Sequence, residues 1–176
     1  MKNIWVTSDL HIGHKNIIKY CDRPYKDVNH MNEAIISNYN SLVASDDEVY
    51  NLGDVCMGAI ENIDKYVPRL NGNVHLIIGN HDEGRRKTEL AKYWPDQKPI
   101  DVIEYNGINF YLVHNKGEME GDPNRVILYG HVHDDAPCGL ADNWTYHVGV
   151  DTNDYRPVNL HDIWNEVMIR RMELGI

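Results

Sequence analysis

Five short apolar runs each end in side chains that bind metal ions or move protons. Thr7-Ser8 leads into Asp9-Leu10-His11, Leu52-Gly53 into Asp54, Ile78-Gly79 into Asn80-His81-Asp82, Leu112-Val113 into His114, and Tyr129-Gly130 into His131-Val132-His133. Carboxylate, amide oxygen and imidazole together make a donor set that suits Mn, Fe or Zn better than Ca or Mg. In D-x-H and H-x-H an extended backbone would carry both side chains to one side. Gly53, Gly79 and Gly130 would allow a sharp turn just ahead of the donor, or a close approach of backbone to an ion. A carboxylate can bridge two ions, and two ions roughly 3.5–4 Å apart can clamp the attacking and leaving oxygens of an in-line phosphoryl displacement. A water held between two such ions ionises near neutral pH and serves as the nucleophile.

Donors scattered over more than a hundred residues must be gathered by the fold, and the carboxyl ends of strands in an α/β sheet are where ligands gather. Ile4–Thr7, Glu48–Leu52 and Val74–Ile78 read as strands. Ile100–Tyr105 and Ile108–Val113 flank Asn106-Gly107, the strongest short hairpin signal. Val126–Tyr129 and Tyr146–Val150 are further strands. Helical spacing covers Val28–Val43 behind an Asp27 N-cap, Ala59–Val67, Arg85–Trp94 and Leu160–Met172. Strands and helices alternate first and a strand-rich half follows. That order predicts an α/β domain of two packed sheets with outer helices. Asn115–Arg125 and Asp134–Asn143, rich in Gly, Asp and Pro, read as loops of the kind that carry function.

A length of 176 residues predicts one domain, residues 1–176, large enough to bury a core without staples. No apolar run approaches the roughly 20 residues of a membrane span. Met1-Lys2-Asn3-Ile4-Trp5-Val6 runs straight into a strand pattern with no signal-peptide core, which predicts a cytoplasmic protein with no membrane partner. Cys21, Cys56 and Cys138 are odd in number and widely spaced, against both a disulfide framework and a zinc ribbon. The net charge of −10 disfavours long duplex nucleic acid, whose binding rests on Lys and Arg neutralising phosphates. It leaves room for a small phosphorylated ligand, since bound divalent cations reverse the local charge. No oligomeric state is legible.

The ordered series Asp9-x-His11, Gly53-Asp54, Gly79-Asn80-His81-Asp82, His114 and Gly130-His131-x-His133 resembles the full motif series of calcineurin-like metallophosphoesterases, in particular their small single-domain bacterial and phage type. Ser8–Tyr25 is similar to the opening loop of that type, and the tail Val148–Leu160, with Asp151, Tyr155 and Pro157, to its closing strands. The resemblance implies two mixed β-sheets flanked by helices, a four-layer α-β-β-α sandwich with its site at strand carboxyl ends. It implies two divalent ions, Mn²⁺ first and Fe, Zn or Ni as alternatives. Asp9, His11 and His133 would hold one ion, Asn80, His114 and His131 the other, and Asp54 would bridge them. His81 would protonate the leaving oxygen, which makes His81 and Asp54 the catalytic residues. Asn80, His14, Asn16 and Arg23 are the expected substrate contacts.

The implied reaction is hydrolysis of a small phosphodiester, nucleotides included, by a metal-bridging hydroxide. A phosphomonoesterase with the same site and a non-catalytic metal-binding scaffold are the alternatives. Val55-Cys56-Met57-Gly58 follows the second motif where protein Ser/Thr phosphatases carry Asp and Arg, which speaks against that activity. Asp82 would either orient His81 or shape its turn. His147 reads as a structural histidine, and Lys15 and Arg86 as solvated cations.

Overall fold

The parallel strands of the first sheet bury side chains on both faces, as strands covered on two sides must. This computed structural model describes residues 2–176. The first sheet joins β1 (Ile4–Thr7), β2 (Glu48–Asn51), β3 (Asn73–Ile77), β4 (Gln97–Lys98) and β9 (Val158–Asn159) in the order β4-β3-β2-β1-β9. β1 to β4 run parallel and β9 antiparallel. The second sheet is ordered β5 (Ile100–Tyr105), β6 (Ile108–Val113), β7 (Arg125–Tyr129), β8 (Thr145–His147). An antiparallel hairpin opens it, and parallel pairs follow. Asn106 (φ 48°) and Gly107 (φ 83°) are both left-handed, as a two-residue hairpin turn of the predicted kind requires.

Between the sheets, Val6, Leu52 and Ile77 pack with Phe110, Leu112, Val126 and Leu128. The opposite face of the first sheet offers Val49, Val74 and Leu76 to Met31, Ile35 and Tyr39 of α2 (Val28–Asn40), to Ile63 of α3 (Glu61–Tyr66) and to Leu90 of α4 (Arg85–Leu90). α5 (Leu160–Leu174) sends Leu160, Ile163 and Val167 into the core between the sheets. The molecule is thus an α/β fold of two mixed sheets flanked by helices, as expected. Asn115–Arg125 and Asp134–Asn143 are joined where Gly121 N–H donates to Asn143 O, and Lys116 sits over the Tyr129 ring on the second sheet's outer face. No helix among the described residues is long and apolar enough to cross a membrane.

The expected elements are all present, with shifted ends. Asp27 caps α2 by accepting from His30 N–H, but the helix stops at Asn40 and a turn closed by Val43 N–H to Tyr39 O carries the chain onward. α4 likewise ends at Leu90, where tighter turns reach Trp94. α1 (Ile17–Tyr20) and β4 were not anticipated, because two to four residues are too few for a period to show, while β9 falls in the tail expected to hold closing strands.

His75 on β3 is held between two carboxylates, Glu48 of β2 and Asp96 just before β4. Its Nε2 lies 2.9 Å from Glu48, its Nδ1 bonds Asp96, and its ring stacks on Tyr50. Burial alone would lower its pKa, but the hydrogen bonds to Asp96 and Glu48 outweigh burial and raise it. A raised folded-state pKa stabilises the fold fully below the unfolded value of about 6.5 and loses that contribution as pH climbs through the raised value. The unfolding free-energy difference between the wild type and His75→Gln should therefore be larger at pH 6 than at pH 9 in urea titrations. Equal differences at the two pH values would contradict this account.

Candidate active site

Every motif follows the carboxyl end of a parallel strand: Asp9 and His11 after β1, Asp54 after β2, Asn80 and His81 after β3, His114 after β6, His131 and His133 after β7. The backbone there departs from the extended pairing expected for D-x-H and H-x-H. Asp9 (φ 59°), His11 (49°), Asp54 (56°), His131 (75°) and His133 (49°) all lie in the left-handed region, which costs energy for residues with a Cβ. The donors converge because the chain coils tightly at each strand end. Gly53 (φ 97°) lets two of these turns meet, since a Cβ there would lie 2.5 Å from Gly79 N. A Cβ on Gly130 would overlap Ser8 Oγ and the Asp9 carboxylate.

Asp54 stands at the centre. Its Oδ1 accepts from His81 N–H at 2.9 Å. Its Oδ2 lies 3.5 Å from His11 Nε2, 3.5 Å from His114 Nε2 and 4.0 Å from His81 Nε2. On one side, donor atoms of Asp9, His11 and His133 lie within 4.8 Å of one another. On the other, Asn80 Oδ1 is 2.9 Å from His114 Nε2 and 3.0 Å from His131 Nδ1, and those two nitrogens are 3.2 Å apart. His114 Nδ1 can only donate to Leu52 O, 2.7 Å away, so its Nε2 presents a lone pair.

These donors fit divalent cations. Asp9 Oδ1 and His11 Nε2 are buried and have no hydrogen-bond partner among the described residues, which is rare for polar atoms unless another ligand claims them. Burial pushes the Asp9 carboxyl above its usual range, against the pull of His114 and His133. His11 is held well below its ordinary value, first by burial and then by neighbouring His133 and Arg23, so its imidazole is neutral and ready to ligate.

The residues behind the donors correct one expectation and settle another. Arg23 was expected to contact substrate; it is buried, and all five of its N–H groups are used inside the protein. Nε and Nη2 bond the two oxygens of Asp151 at 2.7 and 2.9 Å, Nη2 also bonds Asp9 O at 2.8 Å, and Nη1 bonds Leu10 O at 3.1 Å and approaches Met31 Sδ. Asp82 does not orient His81. Its carboxylate accepts from the N–H groups of Asp54, Val55 and Gly79 at 2.7, 3.1 and 3.1 Å, and burial pushes its pKa up to about 6. Arg86, expected in solvent, ties down the loop after Asp54 through Cys56 O and Gly58 O.

Of the remaining expected contacts, His14 reaches the cluster, half-buried, with its Nδ1 3.3 Å from His11 Nδ1. Asn16 is exposed at the start of α1, where its carbonyl accepts from Lys19 and Tyr20. His147 is buried, bonded to Thr152 through Nδ1 and driven down to about 4 by burial, outside both donor groups. Asp151 was singled out in sequence only as part of the tail; it also lies 2.8 Å from His133 Nδ1. The Cys21 thiol is near that pair but is pushed up to about 12 by burial and by Asp151, so it stays protonated.

Parallel strands that deliver Asp, His and Asn to one edge define a metal-dependent phosphoesterase arrangement. A family model of the calcineurin-like phosphoesterase superfamily domain matches residues 1–138. The chain belongs to that superfamily and is a phosphoric ester hydrolase. It is 33% identical to the Methanocaldococcus jannaschii protein MJ1445 over 99% of this chain and 94% of that protein. It is 36% identical to the gene 66 protein of Mycobacterium phage D29 over 74% of this chain and 64% of that protein. The Aquifex aeolicus protein AQ665, at 24% identity, shares the fold with a TM-score of 0.76 over 94% of this chain and 99% of its own.

Asp82→Ala would leave three buried N–H groups without an acceptor. At about 1–3 kcal/mol for each unsatisfied group, unfolding in urea with chelator present should show a loss on the order of 3 kcal/mol or more. Asp82→Asn, which keeps one accepting oxygen, should lose less.

Proposed function

We propose that the chain is a binuclear metal phosphoesterase acting on small phosphodiesters, nucleotides among them. The observation that carries this reading is the position of Asp54 Oδ2, 3.5 Å from an imidazole nitrogen of each donor group. Asp9, His11 and His133 hold one ion, Asn80, His114 and His131 the other, and Asp54 is shared. The donor set favours Mn²⁺, with Fe, Zn or Ni as substitutes. When bound, the two ions supply an ionised water and draw charge from the phosphoryl oxygens.

The protein's own groups do the rest. The His81 main chain is anchored on Asp54 Oδ1, and its imidazole, 44% exposed, stands 4.0 Å from Oδ2, at the edge where a leaving oxygen would depart. From there it donates the proton that the leaving alcohol needs. Asn80, exposed beside it, and half-buried His14 border the same opening and are the expected substrate contacts. The lean to diesters follows from two of the arginines, Arg23 and Arg86. A terminal phosphate dianion is best gripped by a free guanidinium, yet Arg23 and Arg86 spend donors on Asp151 and on backbone carbonyls.

With Mn²⁺ added, bis-p-nitrophenyl phosphate should be cleaved faster than p-nitrophenyl phosphate. His81→Ala should lower kcat by about 10²–10⁴-fold while metal content stays at the wild-type level, and Asp54→Asn should lose both activity and metal. Preference for the monoester would turn the reading to a phosphatase. Cleavage of neither ester by metal-loaded protein would leave the scaffold alternative standing.

A further inference from the structure

We infer that Arg23 and Asp151 form a buried brace that positions the Asp9–His11–His133 donor group alone, so that the brace decides whether the first of the two ions is held. The inference rests on the binuclear reading above. The two residues are 128 positions apart in sequence, and their side chains are 0% and 1% exposed. One guanidinium holds the backbone that carries Asp9 and His11 and, through Asp151, also reaches His133. Through Nη2 and Nη1 it fixes the carbonyls of Asp9 and Leu10, the backbone of the left-handed turn that aims Asp9 and His11. Through Asp151 it acts on His133: Asp151 Oδ2 accepts from Arg23 Nη2 at 2.9 Å and faces His133 Nδ1 at 2.8 Å.

A carboxylate held by Arg can only accept, so His133 carries its proton on Nδ1 and offers Nε2 to the ion. A carboxylate behind a ligating histidine fixes its tautomer and orientation and raises its basicity. The other donor group is supported elsewhere. His114 is set by Leu52 O, Asp54 by Asp82 and by His81 N–H, and neither Arg23 nor Asp151 hydrogen-bonds to them. The groups also touch directly, through His131 N–H to Asp9 Oδ2 at 2.8 Å, Asp9 N–H to Gly53 O at 3.0 Å and His11 N–H to Asp54 O at 2.9 Å, and none of these bonds involves Arg23 or Asp151.

A buried ion pair adds little net stability once its desolvation is counted, and replacing both partners is often tolerated where removing one is not. The decisive variant is therefore the double substitution Arg23→Met/Asp151→Asn, with Asp151→Asn alone as a second case. Mn²⁺ binding is followed by equilibrium dialysis with metal analysis, and the electron paramagnetic resonance spectrum distinguishes a spin-coupled pair from an isolated ion. The wild type should bind two ions and give the coupled spectrum. The variants should keep one ion at wild-type affinity, bind the other about 10- to 100-fold more weakly, and show the spectrum of isolated Mn²⁺. A folded variant that binds both ions as the wild type does, or that weakens both equally, overturns the brace. A wild type that binds fewer than two ions overturns the binuclear reading itself, a distinct result.

Discussion

Lone pairs crowd together at the strand ends, and positive charge is needed among them. Buried Asp54 Oδ2 lies 3.5 Å from both buried His11 Nε2 and buried His114 Nε2, and Asn80 Oδ1, on the exposed side, lies 2.9 Å from His114 Nε2 and 3.0 Å from half-buried His131 Nδ1. In a low-dielectric setting such acceptors repel, and an unpaired buried polar atom costs free energy comparable to a lost hydrogen bond. The rest of the fold is arranged to hold that unfavourable convergence in place. Parallel β1, β2 and β3 bring three motifs to one edge, parallel β6 and β7 bring two more, and the core between the sheets fixes the distance between them. Five left-handed non-glycine residues add strain to the same place, which is where functional sites store it.

That cost is met by groups with no chemistry of their own. The Asp82 carboxylate collects three N–H groups from two turns and so ties the loops after β2 and β3 together. Arg86 fastens the far end of the β2 loop to Cys56 and Gly58. Each contact is ordinary, but together they remove the freedom by which the donors would relax apart. Ligand positions held within about half an ångström are what metal chemistry requires of a scaffold.

Legibility in the sequence followed the range of the interaction. The candidate donors Asp9, His11, Asp54, Asn80, His114, His131 and His133 stood out because they follow five apolar runs, and the Asn106-Gly107 hairpin because its turn is two residues long. The fold class followed from the order of such local signals. Arg23 was misassigned because a basic residue in an opening loop looks the same whether it faces a phosphate or a carboxylate 128 residues away. Asp82 could not be resolved for the same reason: an Asp after His81 can serve either the histidine or the backbone of Asp54, and only the tertiary approach of two loops decides. The left-handed turns escaped because nothing in D-x-H distinguishes an extended pair from a coiled one. β4 escaped because a two-residue strand exists only through its partner.

The two donor groups differ in how they are anchored, and the difference has a physical consequence. Asp54, Asn80 and His114 hang from the interior of both sheets, and their supports are the backbone of adjacent strand ends. His133 sits in a short turn beyond β7, and its support arrives through Asp151 from a turn that follows β8, clamped in turn by a side chain from the opening loop. The first group inherits the rigidity of the sheets. In the second, Asp9 and His11 are tied by their N–H groups to Gly53 O and Asp54 O, but His133 depends on three separate loops meeting, which is the kind of structure that opens locally before the core does. A motion that parts the opening loop from the Val150–Thr152 turn would therefore release His133 and leave the Asp54, Asn80 and His114 donors in register, so exchange at the two positions should proceed at different rates even though the donors share Asp54.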